Sequence, residues 1–391
     1  MRLKPSPSEK AFREEVRDWL HTHVPHEARP PEGEEMRQFD LEWQHAQYVG
    51  GWAGIAWPAE HGGRGLSLIE QLIWSEEYVR AKAPWIGCLF VALNHGGPTL
   101  IKRGTEAQKA FHLPRILKGE AVWCQGFSEP GAGSDLAAIS ARGRVEGDHL
   151  VVNGQKTWTS FGHVADFQEL LIRTNPESTR HRGMTWAICD MRTPGITVTP
   201  IVTMAGHVHF CDVFYDDVRI PLSNVVGELH GGWSTAMTTL SFERGTALIG
   251  WQLELAEAVD QLIAMARTRR DRYGSLLIEH GDLFRRLAQA RAETAALRAL
   301  AYETLSLAER GDKLPAGPVG ALYFSELAQR VHALALDILG PDSLVRDDGQ
   351  YGQDWPGQFL EAFRHTIAGG TSEIRRTIIG ERMLGLPREA R

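Results

Sequence analysis

Apolar positions recur at helical spacing through the first third of the chain. The first such stripe consists of Phe12, Val16, Leu20 and Val24. Positions four residues apart lie on one face of a helix, so this stripe predicts an amphipathic helix. Further on, GTEAQKAFHLPRILKGE is predicted to form two short helices on either side of its proline. We therefore predict an α-helical N-terminal domain over residues 1–121.

The pattern changes at about residue 122. Short segments rich in Val, Ile, Thr and aromatic residues, each bounded by Gly, Pro, Asn or Asp, follow one another to about residue 225. Such segments are typical of strands. We count six or seven of them with no helix between them. This arrangement predicts an antiparallel β-barrel or sandwich over residues 122–227 rather than a doubly wound parallel sheet.

Helical periodicity returns at about residue 228 and continues towards the C-terminus. Two long stretches, 233–274 and 277–312, contain no proline. Several helices this long, each with an apolar and a polar face, are typical of a helical bundle. The predicted fold class is therefore α+β and multidomain, with a helical bundle over residues 228–391.

Composition narrows the functional classes. The chain has 391 residues, of which 43% are apolar and 23% charged, and its formal net charge of −7 argues against nucleic-acid binding as the main function. Four widely spaced cysteines without a CxxC pair are typical of a reducing compartment. The N-terminus resembles neither a signal nor a transit peptide, and the longest apolar run, 85–93, is too short to span a bilayer. We expect a cytoplasmic, soluble protein.

We expect no bound metal. The closely spaced His21, His23 and His26 lie at the end of a predicted surface helix, where solvent exposure is the simpler explanation.

The segment WCQGFSEPGAGSDL (123–136) runs from a predicted strand into a loop of small residues before Ser134. Exposed backbone N–H groups and a hydroxyl are suited to binding an anionic phosphate. The same loop can equally be a tight turn in which Gly131 and Gly133 adopt positive φ. Since no GxGxxG follows a strand, we do not expect a Rossmann nucleotide-binding unit.

The segment NGQKTWTSFG (153–162) begins with Asn-Gly, which favours a hairpin turn. Trp158 is followed by the hydroxyl residues Thr159 and Ser160. An exposed tryptophan beside hydroxyl groups is suited to contact a flat aromatic ligand. The alternative is a tryptophan that packs against the sheet.

The segment SFERG (241–245) places Glu243 and Arg244 in an otherwise apolar helix. Two charges that face water would explain the pair. A carboxylate held in an apolar site would instead have a raised pKa and would be suited to act as a general base.

Taken together, these segments resemble the acyl-CoA dehydrogenase family over essentially the whole chain. The resemblance rests on segments that occur in the family's order and spacing. They are FREEVRDWL, GWAGIAWPAEHGGRGLS, FSEPGAGSDL, NGQKTWTS, FCDVFYDDVRIPLSNVVGE, RRDRYG and AGGTSEIRRTIIGERMLGLPR. The family's architecture is an α-helical domain, a β-barrel and a four-helix bundle, the same order that periodicity predicts here.

The resemblance implies FAD-dependent α,β-dehydrogenation of an acyl-CoA thioester to the trans-2-enoyl-CoA. A base removes the pro-R α-proton while the β-hydride passes to flavin N5, and an electron-transferring flavoprotein usually takes the electrons. The flavin-binding residues implied by similarity are Gln125, Phe127, Ser128, Gly133, Ser134, Trp158, Thr159, Ser160, Arg270, Thr371 and Glu373. The implied substrate contacts are Ser134, Ser241, Arg244 and Gly370.

The position of the base is unusual. Many family members have the catalytic glutamate immediately before a Gly-Thr pair, and here that position is Gly369. In a minority of the family the base lies on the first bundle helix instead, where this chain has Glu243. The resemblance therefore implies that Glu243 is the base, with Glu361 as the next candidate. It implies that the Gly369 N–H holds the thioester carbonyl and stabilises the developing enolate.

Three departures from the family cluster at positions that usually hold the adenosine end of a partner subunit's FAD. They are Gly281, Asp337 and Pro341. This pattern suggests the catalytic half of an α2β2 heterotetramer, an arrangement known for family members that act on steroid-derived acyl groups. Arg270, which would reach the FAD of a neighbouring subunit, is retained and favours a homotetramer.

Two other functions remain open at this point. A flavin oxidase or monooxygenase can share the fold, and a non-catalytic subunit of a heteromer is a third possibility. A base on the first bundle helix often accompanies branched or bulky acyl groups, including steroid-derived ones.

Overall fold

The computed structural model describes residues 5–243, 247–309, 311, 316–345 and 354–387, and it describes only the backbone of residues 243, 247–249, 309 and 316. The chain divides into two compact units. The sheet unit comprises Asp18–Leu66 and Lys82–Glu243, and the bundle unit comprises Met1–Arg17, Ser67–Ala81 and Arg244–Arg391.

Helices occupy both ends of the chain, as the hydrophobic periodicity predicts. In chain order they are α1 (Pro7–His23), α2 (Gly33–Val49), α3 (Leu68–Arg80), α4 (Gly97–Arg103), α5 (Glu106–Leu117), α6 (Gly232–Glu243), α7 (Ala247–Thr268), α8 (Gly281–Glu309), α9 (Ala316–Leu339), α10 (Trp355–Ala362) and α11 (Ser372–Ile378). A π-helical turn, Ala92–Gly96, directly precedes α4.

One helical prediction is wrong in detail. The segment around Pro114 forms the single helix α5 rather than two helices, with the proline inside it. A proline removes one backbone hydrogen bond from a helix. Here Leu113, Ile116 and Leu117 are buried on either side of the proline. Burial of these side chains outweighs the lost hydrogen bond and keeps the helix continuous.

The middle of the chain forms one sheet of seven strands. They are β1 (Trp123–Gly126), β2 (Arg142–Glu146), β3 (His149–Ser160), β4 (Phe167–Arg173), β5 (Met184–Asp190), β6 (Ile196–Ile201) and β7 (Phe210–Pro221). Their order is β1-β4-β2-β3-β7-β6, with β5 also paired to β4. Four of the six pairings between these strands are antiparallel, whereas β1 and β2 each pair parallel with β4.

Two large apolar cores stabilise the described part of the sheet unit. One lies within the sheet and includes Leu150, Leu170 and Val213. The other joins the N-terminal helices, β1 and α6, and includes Trp57, Trp123 and Phe127. The second core fixes β1 and the start of the loop that follows it.

The bundle unit has its own core, formed mainly by α7, α8 and α9 around residues such as Leu262, Leu287 and Leu327. Buried Glu76 on α3 joins three helices of this unit. Its carboxylate accepts hydrogen bonds from Arg13 (2.6 Å) on α1 and from Arg298 (2.6 Å) and Tyr302 (2.9 Å) on α8. Over the described ranges, we find no helix with the length and apolar character needed to cross a bilayer.

Candidate active site

A buried ion pair fixes the start of the loop that follows β1. Lys156 on β3 is completely buried, and its Nζ donates to the Glu129 carboxylate (2.8 Å) and to the carbonyl of Phe127 (2.9 Å). Glu129 also accepts from the Ser140 N–H and hydroxyl and from the Ala141 N–H. The backbone of the loop is therefore fixed at its start and along its inner side.

The two charges of this pair affect each other's titration. Burial lowers the pKa of Lys156, and the charge of Glu129 opposes that effect. Burial would raise the pKa of Glu129, but the charge of Lys156 and the converging hydrogen bonds hold that pKa below its usual range. Since the pKa of Lys156 falls only to about 8, both groups remain charged at neutral pH.

The outer side of the same loop is bare backbone. Gly131, Gly133 and Ser134 are exposed, and a Cβ added at either glycine would meet nothing within 4 Å. The predicted tight turn is present, closed by backbone hydrogen bonds between Glu129 and Ala132, but the positive φ predicted for the two glycines is wrong. Accessible N–H groups beside a serine hydroxyl are the feature that an anionic group requires.

Trp158 lies next to this loop in an unusual conformation. Its φ is +57°, at an irregularity in the pairing of β3 with β7, and its side chain is 57% exposed. The adjacent Thr157 N–H donates to the carbonyl of Ser128 (2.9 Å), which ties β3 to the loop. Among the described residues, the Trp158 ring makes one aromatic contact, edge-on to the ring of Phe210 with 5.8 Å between the ring centroids. An exposed aromatic ring on a strained backbone suggests a functional role rather than packing.

Thr159 and Ser160, which follow Trp158, differ in exposure. Ser160 is half-buried, whereas Thr159 is completely buried. The Thr159 hydroxyl has no hydrogen-bond partner among the described residues. A buried hydroxyl without a partner is costly, so a bound group that supplies one would be stabilised here. Trp158, the bare loop and this hydroxyl together are compatible with a flat, phosphate-bearing cofactor such as a flavin nucleotide.

Helix α6 packs against the core beneath this loop. Met237 and Leu240 contact the cluster that contains Phe127. The Thr239 hydroxyl hydrogen bonds to that of Thr99 (2.9 Å), and Arg103 donates to Thr238 (3.2 Å). These contacts fix α6 against the N-terminal helices of the sheet unit.

The substrate and base residues near the end of α6 are only partly described. Ser241 is exposed and donates to the carbonyl of Thr238. Glu243 is the last residue of α6, but its side chain lies outside the described part, as does all of Arg244. Their predicted roles therefore stay predictions.

In the bundle unit, the segment before α11 has a backbone that requires glycine. Gly369 has φ +66° and Gly370 φ +104°, conformations that side-chain-bearing residues rarely adopt. Gly369 is exposed, and no described residue accepts a hydrogen bond from its N–H. Thr371 caps α11 by accepting from the Ile374 N–H, and Glu373 is exposed on the first turn.

A buried arginine holds this glycine segment. Arg375 on α11 donates to the carbonyls of His365 (2.9 Å) and Ala368 (2.8 Å) and to the Ser325 hydroxyl (3.0 Å). The arginine fixes the backbone on the N-terminal side of Gly369 while the Thr371 cap fixes the other side.

Three further predicted positions lie elsewhere on the bundle unit. Arg270 is exposed after α7 and donates to the carbonyl of Gly274 (2.7 Å). Asp337 accepts from Arg286 of its own chain (2.6 Å). Glu361 pairs with Arg364 at 3.1 Å.

The residues that sequence analysis missed are mainly the supports of the site. Glu129 and Lys156 lie inside the quoted motifs, and Arg375 is three residues after the serine that follows Thr371. Their charges would normally indicate exposure. Since burial is a property of the folded chain, nothing in the spacing of these residues separates them from surface charges.

Comparison with known proteins identifies the class. The chain matches the models of the acyl-CoA dehydrogenase N-terminal domain over residues 6–120, the middle domain over 124–218 and the C-terminal domain over 230–384. The chain therefore belongs to the acyl-CoA dehydrogenase family, whose members are in general flavin-dependent oxidoreductases. The predictions of family, enzyme class and order of helices and strands are confirmed.

Several relatives cover the chain from end to end. Acyl-CoA dehydrogenase IpdE1 of Mycobacterium tuberculosis is 36% identical over 97% of this chain and 98% of its own. A chain of the ChsE4-ChsE5 complex from Mycobacterium tuberculosis has a TM-score of 0.87 and 32% identity, with full coverage of both chains. A chain of the Tcur3481-Tcur3483 steroid ACAD has a TM-score of 0.86 and 31% identity, also with full coverage.

Proposed function

We propose that this protein catalyses α,β-dehydrogenation of an acyl-CoA thioester to the trans-2-enoyl-CoA, with Glu243 as the base. The observation that carries the proposal is the loop after β1. Its bare outer backbone lies beside the exposed, strained Trp158, and it is fixed by the buried Lys156–Glu129 pair. This combination is suited to hold FAD. Bound there, FAD would supply the acceptor for the hydride that leaves the β-carbon.

The chain's own residues would then perform the proton chemistry. The Glu243 carboxylate would take the α-proton, and the Gly369 N–H would donate to the thioester oxygen as negative charge develops on it. The positive-φ glycine backbone and the Arg375 hydrogen bonds support this role, because they fix the direction of a donor that no described residue uses. Losing one such donor costs on the order of 2.7–4 kcal/mol in other enzymes.

The test is anaerobic reduction of the bound flavin by acyl-CoA. Glu243→Gln should retain FAD and bind substrate but should not bleach the flavin, because the amide cannot accept the α-proton. Glu361→Gln is the matched control, since Glu361 already has an ion-pair partner in Arg364. Wild-type bleaching rates in Glu243→Gln, with loss in Glu361→Gln, would move the base to residue 361.

We propose a bulky, steroid-derived acyl group as the substrate class. The support is the likeness over the full chain to the Tcur3481-Tcur3483 steroid ACAD and the absence of a glutamate at position 369. A panel of acyl-CoAs from short linear to polycyclic should bleach the flavin fastest at the polycyclic end. A preference for short linear chains would contradict the proposal.

We also propose that the chain assembles as the catalytic half of an α2β2 heterotetramer. Arg286 pairs with Asp337, and Arg269 pairs with Asp342. Both acidic groups lie in the region predicted to contact a partner's adenosine, and both already have cationic partners within the chain. Native mass measurement should find the chain alone poor in FAD and the co-expressed pair fully loaded. A yellow, active homotetramer of this chain alone would rule out the heteromer.

The electron acceptor in this proposal is an electron-transferring flavoprotein. Rapid mixing of the substrate-reduced enzyme with that protein should reoxidise the flavin much faster than air does. Fast reoxidation by air, with formation of hydrogen peroxide, would indicate an oxidase instead.

A further inference from the structure

Three polar side chains meet in an otherwise apolar part of the sheet unit. Gln125 on β1 and Glu169 on β4 are directly paired in the parallel register, so both side chains lie on the same face of the sheet. His95, in the π-helical turn before α4, reaches the same point. No sequence motif groups these three residues, which are 30 and 44 positions apart along the chain.

Their contacts converge on one carboxylate oxygen. The Gln125 Nε2 lies 2.7 Å from Glu169 Oε1, and His95 Nδ1 lies 3.3 Å from the same oxygen. The Gln125 Nε2 and His95 Nδ1 are 3.2 Å apart. The carboxylate oxygen accepts from the Gln125 amide, and His95 Nδ1 lies within hydrogen-bond reach of both partners.

The cluster is buried on its inner side and accessible at one end. Glu169 is completely buried and His95 is 4% exposed, whereas Gln125 is only partly buried. The ring of Phe90 packs edge-on against His95 at 5.3 Å. A Cβ added at Gly96 would lie 2.9 Å from the Trp123 ring, so the glycine is what allows the π-helical turn to approach β1 this closely. Of the three residues only Gln125 is not fully buried, and it lies two positions before Phe127, where the proposed flavin loop begins.

These contacts determine which end of the Gln125 amide points away from the cluster. An amide has a donor end and an acceptor end, and a carboxylate can only accept. Because the NH2 group of Gln125 is committed to Glu169, its carbonyl oxygen must face away from the cluster. Low local polarity strengthens such hydrogen bonds, so the orientation is held firmly.

We propose that Glu169 and His95 are positioning residues that clamp Gln125 so that its carbonyl oxygen accepts a hydrogen bond from an N–H group of the isoalloxazine ring. This inference rests on the proposed function, since it requires flavin in the site. An outward carbonyl oxygen can pair with a ring N–H but not with the ring carbonyl oxygens. In the oxidised ring, N3 carries the only N–H.

The clamp should also affect the flavin's reduction. An acceptor on a ring N–H adds electron density to the ring, and a negative charge behind that acceptor acts in the same direction. Both effects oppose the addition of electrons. Removing either should therefore raise the midpoint potential of the bound flavin.

The experiment uses holoenzyme loaded with ¹⁵N-labelled FAD, in the absence of substrate. Gln125→Leu should move the N3 signal upfield and raise the midpoint potential. Glu169→Gln should change both in the same direction by a smaller amount, because its amide oxygen can still accept from Gln125. If Glu169 acts on the ring N–H through Gln125, the double variant will move the N3 signal no further than Gln125→Leu alone, while the potential will also respond to the lost charge.

Tyr215→Phe is the matched control. It removes a buried hydroxyl that donates to Gln168, on the opposite face of β4, and makes no contact with Gln125. It should change stability but neither the N3 signal nor the potential. His95→Gln serves as the second clamp variant if Glu169→Gln does not fold.

An unchanged N3 signal in Gln125→Leu would overturn the proposal, as would additive changes of the N3 signal in the double variant. These outcomes differ from failure of the proposed function. A wild-type enzyme that retains no FAD in any assembly, or whose FAD no acyl-CoA reduces, would contradict dehydrogenation itself. If the wild type retains FAD that acyl-CoA reduces, but the N3 signal does not change in Gln125→Leu, only the clamp is contradicted.

Discussion

At the scale of single residues, the site depends on charges that are buried rather than exposed. Lys156 illustrates this, since a lysine in a strand would normally reach solvent. Here it is completely buried, and it joins β3 to Phe127 and Glu129 at the start of the proposed flavin loop. One side chain thus links the sheet to the loop that carries the candidate chemistry.

Lys156→Met should destabilise the protein by about 3–5 kcal/mol, because Glu129 would remain as an uncompensated buried charge. Urea unfolding measures the change. Adding Glu129→Gln to this variant should recover part of the loss, since the second change removes that charge. Arg192→Met is the control, because its exposed pair with Asp190 should contribute little to stability. Equal losses in the two single variants would contradict a special role for the buried pair.

At the scale of elements, the segment between α10 and α11 depends on backbone conformation more than on side chains. Gly370 has φ +104°, although a Cβ there would have room, with its nearest contact at 3.6 Å from Ile374. The requirement for glycine is therefore conformational rather than steric. A glycine inside a regular helix, such as Gly250 in α7, has no such requirement.

The two glycines should respond in opposite directions to the same change. Gly370→Ala should cost roughly 1–3 kcal/mol, because alanine is strained at this φ. Gly250→Ala should stabilise by roughly 0.5–1 kcal/mol, because alanine loses less entropy in a helix. Thermal unfolding of both variants checks the pair. A neutral Gly370→Ala would show that the segment relaxes without cost.

At the scale of the whole molecule, a buried carboxylate makes the bundle unit sensitive to acid. Burial would raise the pKa of Glu76, but the hydrogen bond from Arg13 and the charge of Arg298 hold that pKa below its usual value. A lowered pKa in the folded state means that the charged form stabilises the fold. That stabilisation is complete above the ordinary pKa of glutamate, about 4.3, and is lost as the pH falls through the lower, folded value.

Unfolding free energy should therefore fall in acid below about pH 4.3. Glu76→Gln should be less stable at neutral pH, because its neutral amide pairs poorly with two arginines. It should also lose less stability on acidification. Urea titrations at a series of pH values compare the two proteins, and parallel curves would exclude Glu76 as a source of the acid sensitivity.

Sequence patterns were sufficient to predict the class of protein because the signals that indicate the class are local. Amphipathic stripes, strand-sized segments and an uninterrupted helical C-terminal third each reflect a few neighbouring residues, and the motif order added the family. Pro114 shows the limit of local reasoning. A proline by itself predicts the end of a helix, but buried side chains on both sides of Pro114 keep α5 continuous.

Periodicity and motif spacing lie along the chain, so the order of helices and strands and the family could be predicted from them, and the same motifs predict where the candidate chemistry lies. Which charges are buried, and what they contact, became evident from the fold. Lys156 beneath the loop and Glu169 behind Gln125 are examples. The physical reason is that burial and pairing arise between residues distant in sequence, and a carboxylate's role depends on which donors the fold brings to it.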